Sequence, residues 1–145
     1  MREVLLKTNS TFLVMPNDLN PFGTLFGGTM MSWMDKIAVL CAMEHTGRNC
    51  VTLFADQIKF HAPVHVQEVV DMSSVVIDEG ITSLLIHVTA NKRKSTESRE
   101  NSLLVAESIF KFVSLDKNGN PTDKWKKRIH SQRSPINEKI LSTGT

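Results

Sequence analysis

Two kinds of hydrophobic pattern divide this chain. Thr11-Phe-Leu-Val-Met15 is a short β-prone run stopped by Pro16, and a turn-rich loop, Asn17 to Gly23, follows it. From about Gly28 to His45 the residues read as helix, rich in Ala, Met and Leu, with no internal Gly or Pro and with Thr46-Gly47 as the stop. The apolar residues of this helix occupy nearly every face instead of one stripe, which predicts a helix surrounded by protein. Polar/apolar alternation then takes over. Cys50–Phe60 is the second strand, broken at His61-Ala-Pro-Val64, and Val69–Asp78 is the third, turned at Glu79-Gly80. Thr82–Lys92 is the fourth strand and a hairpin partner of the third. Lys94 to Ser102 is a polar loop, and Leu103–Leu115 is the fifth strand, ended by Asp116-Lys-Asn-Gly-Asn-Pro121.

These elements predict an α+β architecture: an antiparallel β-sheet of about five strands wrapped around one long buried α-helix. The helix has more apolar faces than one small curved sheet covers, so a second copy is expected to cover the rest, making a homodimer. Residues 1–121 form the expected domain. Residues 122–145 are expected to form a loose, basic C-terminal arm, interrupted by Pro135, with one helix around Trp125 and Ile129.

Charge sharpens this division. The formal net charge is +2, but residues 1–116 carry 10 Lys/Arg against 13 Asp/Glu, while residues 117–145 carry 7 against 2. A mildly acidic body with 6% aromatic residues and no Tyr offers neither a basic groove nor stacking surfaces, so no nucleic-acid partner is expected. The longest unbroken apolar run, Ile37–Met43, is far short of the roughly 20 residues of a membrane span. Nor does the first segment carry the apolar run and small-residue cleavage site of a secretory leader. Cys41 and Cys50 are the only cysteines, in a chain of 145 residues that needs no staples, which points to a reducing, cytoplasmic compartment with no membrane partner.

Candidate chemistry gathers on the helix. Asp35 has Met31, Ala38 and Val39 as its i−4, i+3 and i+4 neighbours. It is either a carboxylate set in an apolar wall for chemistry or, with Lys36, the solvated edge of the helix. Gly27-Gly28 stands where the helix begins. Glycines there make a tight turn, or let a ligand approach backbone N–H groups at the positive end of the helix dipole. No dinucleotide, P-loop or nucleophile-elbow motif occurs.

The other groupings read as structural. Cys41 and His45 sit at i, i+4, as a buried thiol and a helix-end histidine. His61 and His65 have zinc-like spacing, but Pro63 lies between them and no ligand cluster follows; no metal is expected. Asp116-Lys-Asn-Gly-Asn lacks the closing acid of a calcium loop and reads as a turn. Arg93-Lys94, with Lys92, is either a solvated strand end or an anchor for a phosphorylated ligand.

Asn20-Pro-Phe-Gly-Thr-Leu-Phe-Gly-Gly-Thr-Met-Met-Ser-Trp-Met-Asp35 strongly resembles the helix start of hot-dog-fold acyl-CoA thioesterases. The likeness continues through Phe60-His-Ala-Pro-Val64, Gly80-Ile-Thr-Ser83 and Ala106–Asp116 with Gly119 and Pro121, about residues 8 to 121. At Gln67 the chain departs from it, because family members often carry Gly in that turn. The resemblance implies cleavage of acyl-CoA thioesters to a free acid and CoA, with the carboxylate matching Asp35 as general base or nucleophile. Backbone N–H groups at Gly27 and Gly28 would polarise the carbonyl, and Asn20 matches a polar position that orients water or substrate. The family places basic residues at Arg93 and Lys94, which would hold CoA phosphates. It also often assembles as hexamers, trimers of dimers. A thioester is already activated, so a carboxylate and an oxyanion hole suffice and no cofactor is required. Two other readings compete. A non-catalytic acyl-CoA-binding or sensing module would not need Asp35. A hot-dog dehydratase would need a histidine near the glycine pair, and none lies before His45.

Overall fold

A computed structural model describes residues 7–123. Its elements are β1 (Lys7–Leu13), α1 (Gly27–Thr46), β2 (Asn49–Phe60), β3 (Glu68–Glu79), β4 (Ser83–Lys94) and β5 (Leu103–Leu115). The strands form one antiparallel sheet in the order β1-β3-β4-β5-β2, with α1 packed on one face. This is the expected hot-dog arrangement, and β3–β4 is the expected hairpin, with Gly80 N–H donating to the Ser83 carbonyl. The expected arm from residue 124 onward, including its helix around Trp125 and Ile129, lies outside the described residues.

One element is displaced from its sequence reading. The first strand was expected at Thr11–Met15 and is found at Lys7–Leu13. Polar Lys7–Ser10 is strand because β3 pairs with it, Lys7 opposite Val75 and Ser10 opposite Met72. Ladder hydrogen bonds overrode a weak local pattern. Likewise β4 runs on through Lys92, Arg93 and Lys94, which pair with Val70, Val69 and Glu68.

The helix begins at Gly27 directly after extended Phe26, with no side chain capping its first amides. It ends at Gly47, whose left-handed conformation lets its N–H reach the Met43 carbonyl. Met30, Met34, Ile37, Ala38, Cys41 and Ala42 are buried against sheet residues such as Met72, Ile86, Val88 and Phe112. Each large side chain fully buried there contributes roughly 1.5–3 kcal/mol. The expectation of a helix covered all round is not met by one chain. Trp33, Val39 and Met43 are only partly buried, and Leu40 remains 45% exposed. A single sheet reaches one side of a helix, and the rest of the apolar surface faces outward. Trp33 is covered in part by Phe12 of β1, stacked at 4.6 Å between ring centroids.

Candidate active site

The helix carries the site's two halves at different heights. Asp35 is half-buried, and its Oδ1 accepts a hydrogen bond from Thr52 Oγ1 at 2.7 Å. Thr52 lies on β2 opposite buried Phe112, so alternation turns it to the helix side of the sheet. The sequence reading did not single out Thr52. Period-two alternation marks it as a polar residue facing the helix, but only the antiparallel course of β2 beside α1 brings it to Asp35.

Gly27 and Gly28 are the first two residues of the helix. A Cβ on Gly28 would come within 2.8 Å of the Phe26 ring, and one on Gly27 would lie 3.7 Å from Phe60. The aromatic ring of Phe26 therefore lies over Gly28 and would have to turn away from a side chain there. The first-turn amides stand between two exposed phenylalanines, with no side-chain cap. Leu25 N–H donates to the Val64 carbonyl at 2.7 Å and Phe26 N–H to the Asp18 carbonyl at 2.9 Å, which fixes the approach to the helix.

Asn20 is occupied by its own loop. Its Oδ1 accepts from the Phe22 and Thr24 N–H groups, and its Nδ2 donates to Thr24 Oγ1 at 2.9 Å. One Nδ2 hydrogen is left over.

Arg93 lies on the opposite face of the sheet from α1, gripping Asp71 through Nε at 2.7 Å and the Glu97 carbonyl at 2.9 Å. Burial pushes the Asp71 carboxyl up, but the hydrogen bonds of Arg93 and Thr11 and the charge of Arg99 more than offset this and hold it below its usual range. Lys94 is exposed at the end of β4.

The remaining groupings have partners within the fold. Cys41 and Cys50 are buried free thiols. Burial pushes the Cys41 thiol up, and it donates to the Ser74 carbonyl, while His45 pairs with Glu79. His61 and His65 go to different partners, Glu107 and Glu68. Asp116 Oδ1 accepts from the Asn118 and Asn120 N–H groups and so shapes its turn. Among the described residues no group of three or more His, Cys, Asp or Glu is placed to hold a metal ion. No helix among them is long and apolar enough to cross a membrane.

Comparison with known proteins gives this arrangement its family. Residues 22–98 match the family model of the thioesterase superfamily. A Bacillus subtilis protein named as an uncharacterized acyl-CoA thioester hydrolase, YkhA, is 38% identical over 116 residues, covering 79% of this chain and 66% of the relative. Among solved structures, an acyl-CoA hydrolase from Staphylococcus aureus, in complex with butyryl-CoA, CoA and CoA disulfide, superposes with a TM-score of 0.76 at 31% identity. That match covers 81% of this chain and 70% of the other. A hexameric broad-specificity acyl-coenzyme A thioesterase matches with a TM-score of 0.78 at 27% identity, over 96% of this chain and 95% of that one. The chain therefore belongs to the thioesterase superfamily, and within it to the acyl-CoA thioester hydrolases. Further structures of the Staphylococcus aureus enzyme carry alanine in place of an asparagine, an aspartate and a threonine. Those three are spaced along its sequence as Asn20, Asp35 and Thr52 are along this one.

Proposed function

We propose that this protein hydrolyses acyl-CoA thioesters to a free carboxylic acid and CoA, with Asp35 as the reacting carboxylate. The observation that carries this is the Asp35–Thr52 hydrogen bond on a helix whose glycine start is uncapped. Thr52 fixes Oδ1, which leaves Oδ2 to take a proton from water or to attack the thioester itself. In the water route, the water oxygen adds to the carbonyl carbon while Asp35 takes its proton. The C–S bond then breaks, and the sulfur leaves as CoA thiol with that proton. The N–H groups of Gly27 and Gly28, helped by the helix dipole, hold the carbonyl oxygen as it becomes negative. Asn20 holds the loop before them and keeps one N–H for water or substrate. CoA phosphates fall to Lys94, with Arg93 fixed beside it by Asp71. The substrate class is supported by the CoA ligands of the Staphylococcus aureus enzyme.

The active unit is at least a pair of chains. Gly27 and Asp35 are eight residues apart on one helix, or about 12 Å at 1.5 Å per residue. A base must be within roughly 3 Å of its water, and oxyanion donors within roughly 3 Å of the carbonyl oxygen. One helix does not supply both to one thioester, but two antiparallel helices do. Relatives described as hexameric support assembly, and a hexamer built of such pairs accommodates the open side of α1.

Steady-state rates over short, long and aromatic acyl-CoAs test this reading. Wild-type protein is expected to turn over several of them, and Asp35→Asn to lower kcat by at least about a hundredfold, the low end for losing a general base. Binding of CoA alone should change little. Tight acyl-CoA binding without turnover would mean a binding module instead.

A further inference from the structure

The turn between β2 and β3 is held by side chains that have no part in the reaction just described. Lys92 Nζ, from β4, donates to the Pro63 carbonyl at 2.7 Å. Glu68, the first residue of β3, accepts the His65 backbone N–H on Oε1 at 2.7 Å, and the same oxygen lies 3.5 Å from Lys92 Nζ. Both side chains are partly buried, at 18% and 21% exposure, which limits the geometries they can adopt. Between the two clasped positions lies Val64, itself 2% exposed, whose carbonyl takes the Leu25 N–H two residues before Gly27. Thr24 bridges His65 one step earlier.

We propose that Lys92 and Glu68 are positioning residues for the oxyanion-binding turn: anchored in the rigid β3–β4 hairpin, they clasp Pro63–His65 so that the Val64 carbonyl pins Leu25 and aims the Gly27 and Gly28 amides. This rests on the thioesterase reading of those amides. It gives Lys92 a role different from that of a phosphate-binding cation at the end of β4. The hairpin is the part of the fold with the longest continuous ladder, and the glycine turn has no regular ladder of its own. Rigidity therefore passes from sheet to turn through one ammonium and one carboxylate. Burial pushes the Glu68 carboxyl up, but the His65 N–H and Lys92 outweigh this and keep it below its usual range, so the clasp stays charged into mildly acidic conditions.

The test pairs kinetics with amide hydrogen exchange on full-length protein. Lys92→Met keeps the alkyl stem and removes the donor. It should lower kcat about tenfold with KM within about twofold, since misplaced donors cost transition-state more than ground-state binding. Exchange at Leu25 should speed up on the order of tenfold, while Phe110–Phe112 of β5 keep their protection. Lys92→Arg, which still reaches a carbonyl, should restore most of kcat. Glu68→Gln should give the same pattern about threefold weaker, and it serves if Lys92→Met folds poorly. Unchanged Leu25 exchange in folded Lys92→Met would overturn the proposal, as would faster exchange with kcat intact. A raised KM with unchanged kcat would overturn it too, by making Lys92 a substrate contact. If wild-type protein hydrolyses no acyl-CoA, the functional reading fails, and Leu25 exchange alone still decides whether the clasp exists.

Discussion

The sheet has two edges, and they are built differently. β1 is 7 residues long and presents Lys7, Asn9 and Thr11 outward, with Thr11 and Asp71 tied at 2.9 Å. It is short and, apart from Leu13 at its end, polar outward, as edges that avoid pairing are. β2 is 12 residues long, and Val51, Leu53, Phe54 and Phe60 are each 45% to 55% exposed. It is also bulged twice, near Leu53 and Gln57, and it carries Thr52 to Asp35. An open apolar edge of that length on a single chain is a surface prepared for another chain. Asp35, the carboxylate proposed to react, sits beside this open edge through its bond to Thr52. The other edge carries Phe12 against Trp33. Catalysis and assembly are thus expected to share β2, and β1 to serve stability alone.

The largest effect should come from mixing two dead variants. Gly27→Pro removes one backbone donor at the first helical residue, where proline is tolerated. Asp35→Asn removes the carboxylate. Each homo-oligomer should be nearly inactive. If sites are shared across β2 and α1, a mixed pair gathers both lesions in one site and leaves the other intact, so about half the activity returns. No recovery from folded, verified mixed pairs would mean that each chain builds its own site, and the β2 edge would lose its catalytic meaning.

The second effect concerns the edges themselves. Val51→Lys with Leu53→Lys places charge on the open strand, where two copies would bring like charges together. The expected result is a shift to single chains by light scattering, with most activity lost. Asn9→Lys on β1 should leave size and rate as they are. Equal responses from both edges would erase the contrast.

Much of this was legible in the sequence, for identifiable reasons. The glycine pair, the unbroken Met/Ala/Leu run and the Thr46-Gly47 stop locate α1 to within one residue at each end. Strong alternation locates β5 at Leu103–Leu115. Asp35 stood out because a carboxylate among Met31, Ala38 and Val39 is chemically odd. Thr52 did not, because a threonine in an alternating strand is ordinary until its neighbour across the fold is known. The polar half of β1 was hidden for the same reason, since only its pairing with β3 makes it strand. The long-range grip of Arg93 on Asp71 was equally invisible, 22 residues apart on facing strands. Local pattern reports what a segment prefers, and these three features depend on what it meets.

The smallest effect belongs to the β1 edge. Gln67 adopts φ 69°, the left-handed region, in the turn where the resembling family often carries glycine. A side chain there costs roughly 1–2 kcal/mol relative to a right-handed conformation, from crowding of Cβ against the following carbonyl. The turn tolerates it because the Gln67 N–H donates to the Val14 carbonyl and Val14 N–H to the Glu68 carbonyl, each at 2.9 Å, extending the β1–β3 ladder past Leu13. Gln67→Gly removes the crowding and keeps both bonds, but it also gives the unfolded chain more freedom. The net gain should be about 0.5–1 kcal/mol, seen as a rise of a few degrees in Tm. The same variant should leave the oligomer's size unchanged, because the turn continues the closed edge and not the open one. A fall in Tm would mean that the Gln67 side chain contributes more to this corner than its backbone conformation costs.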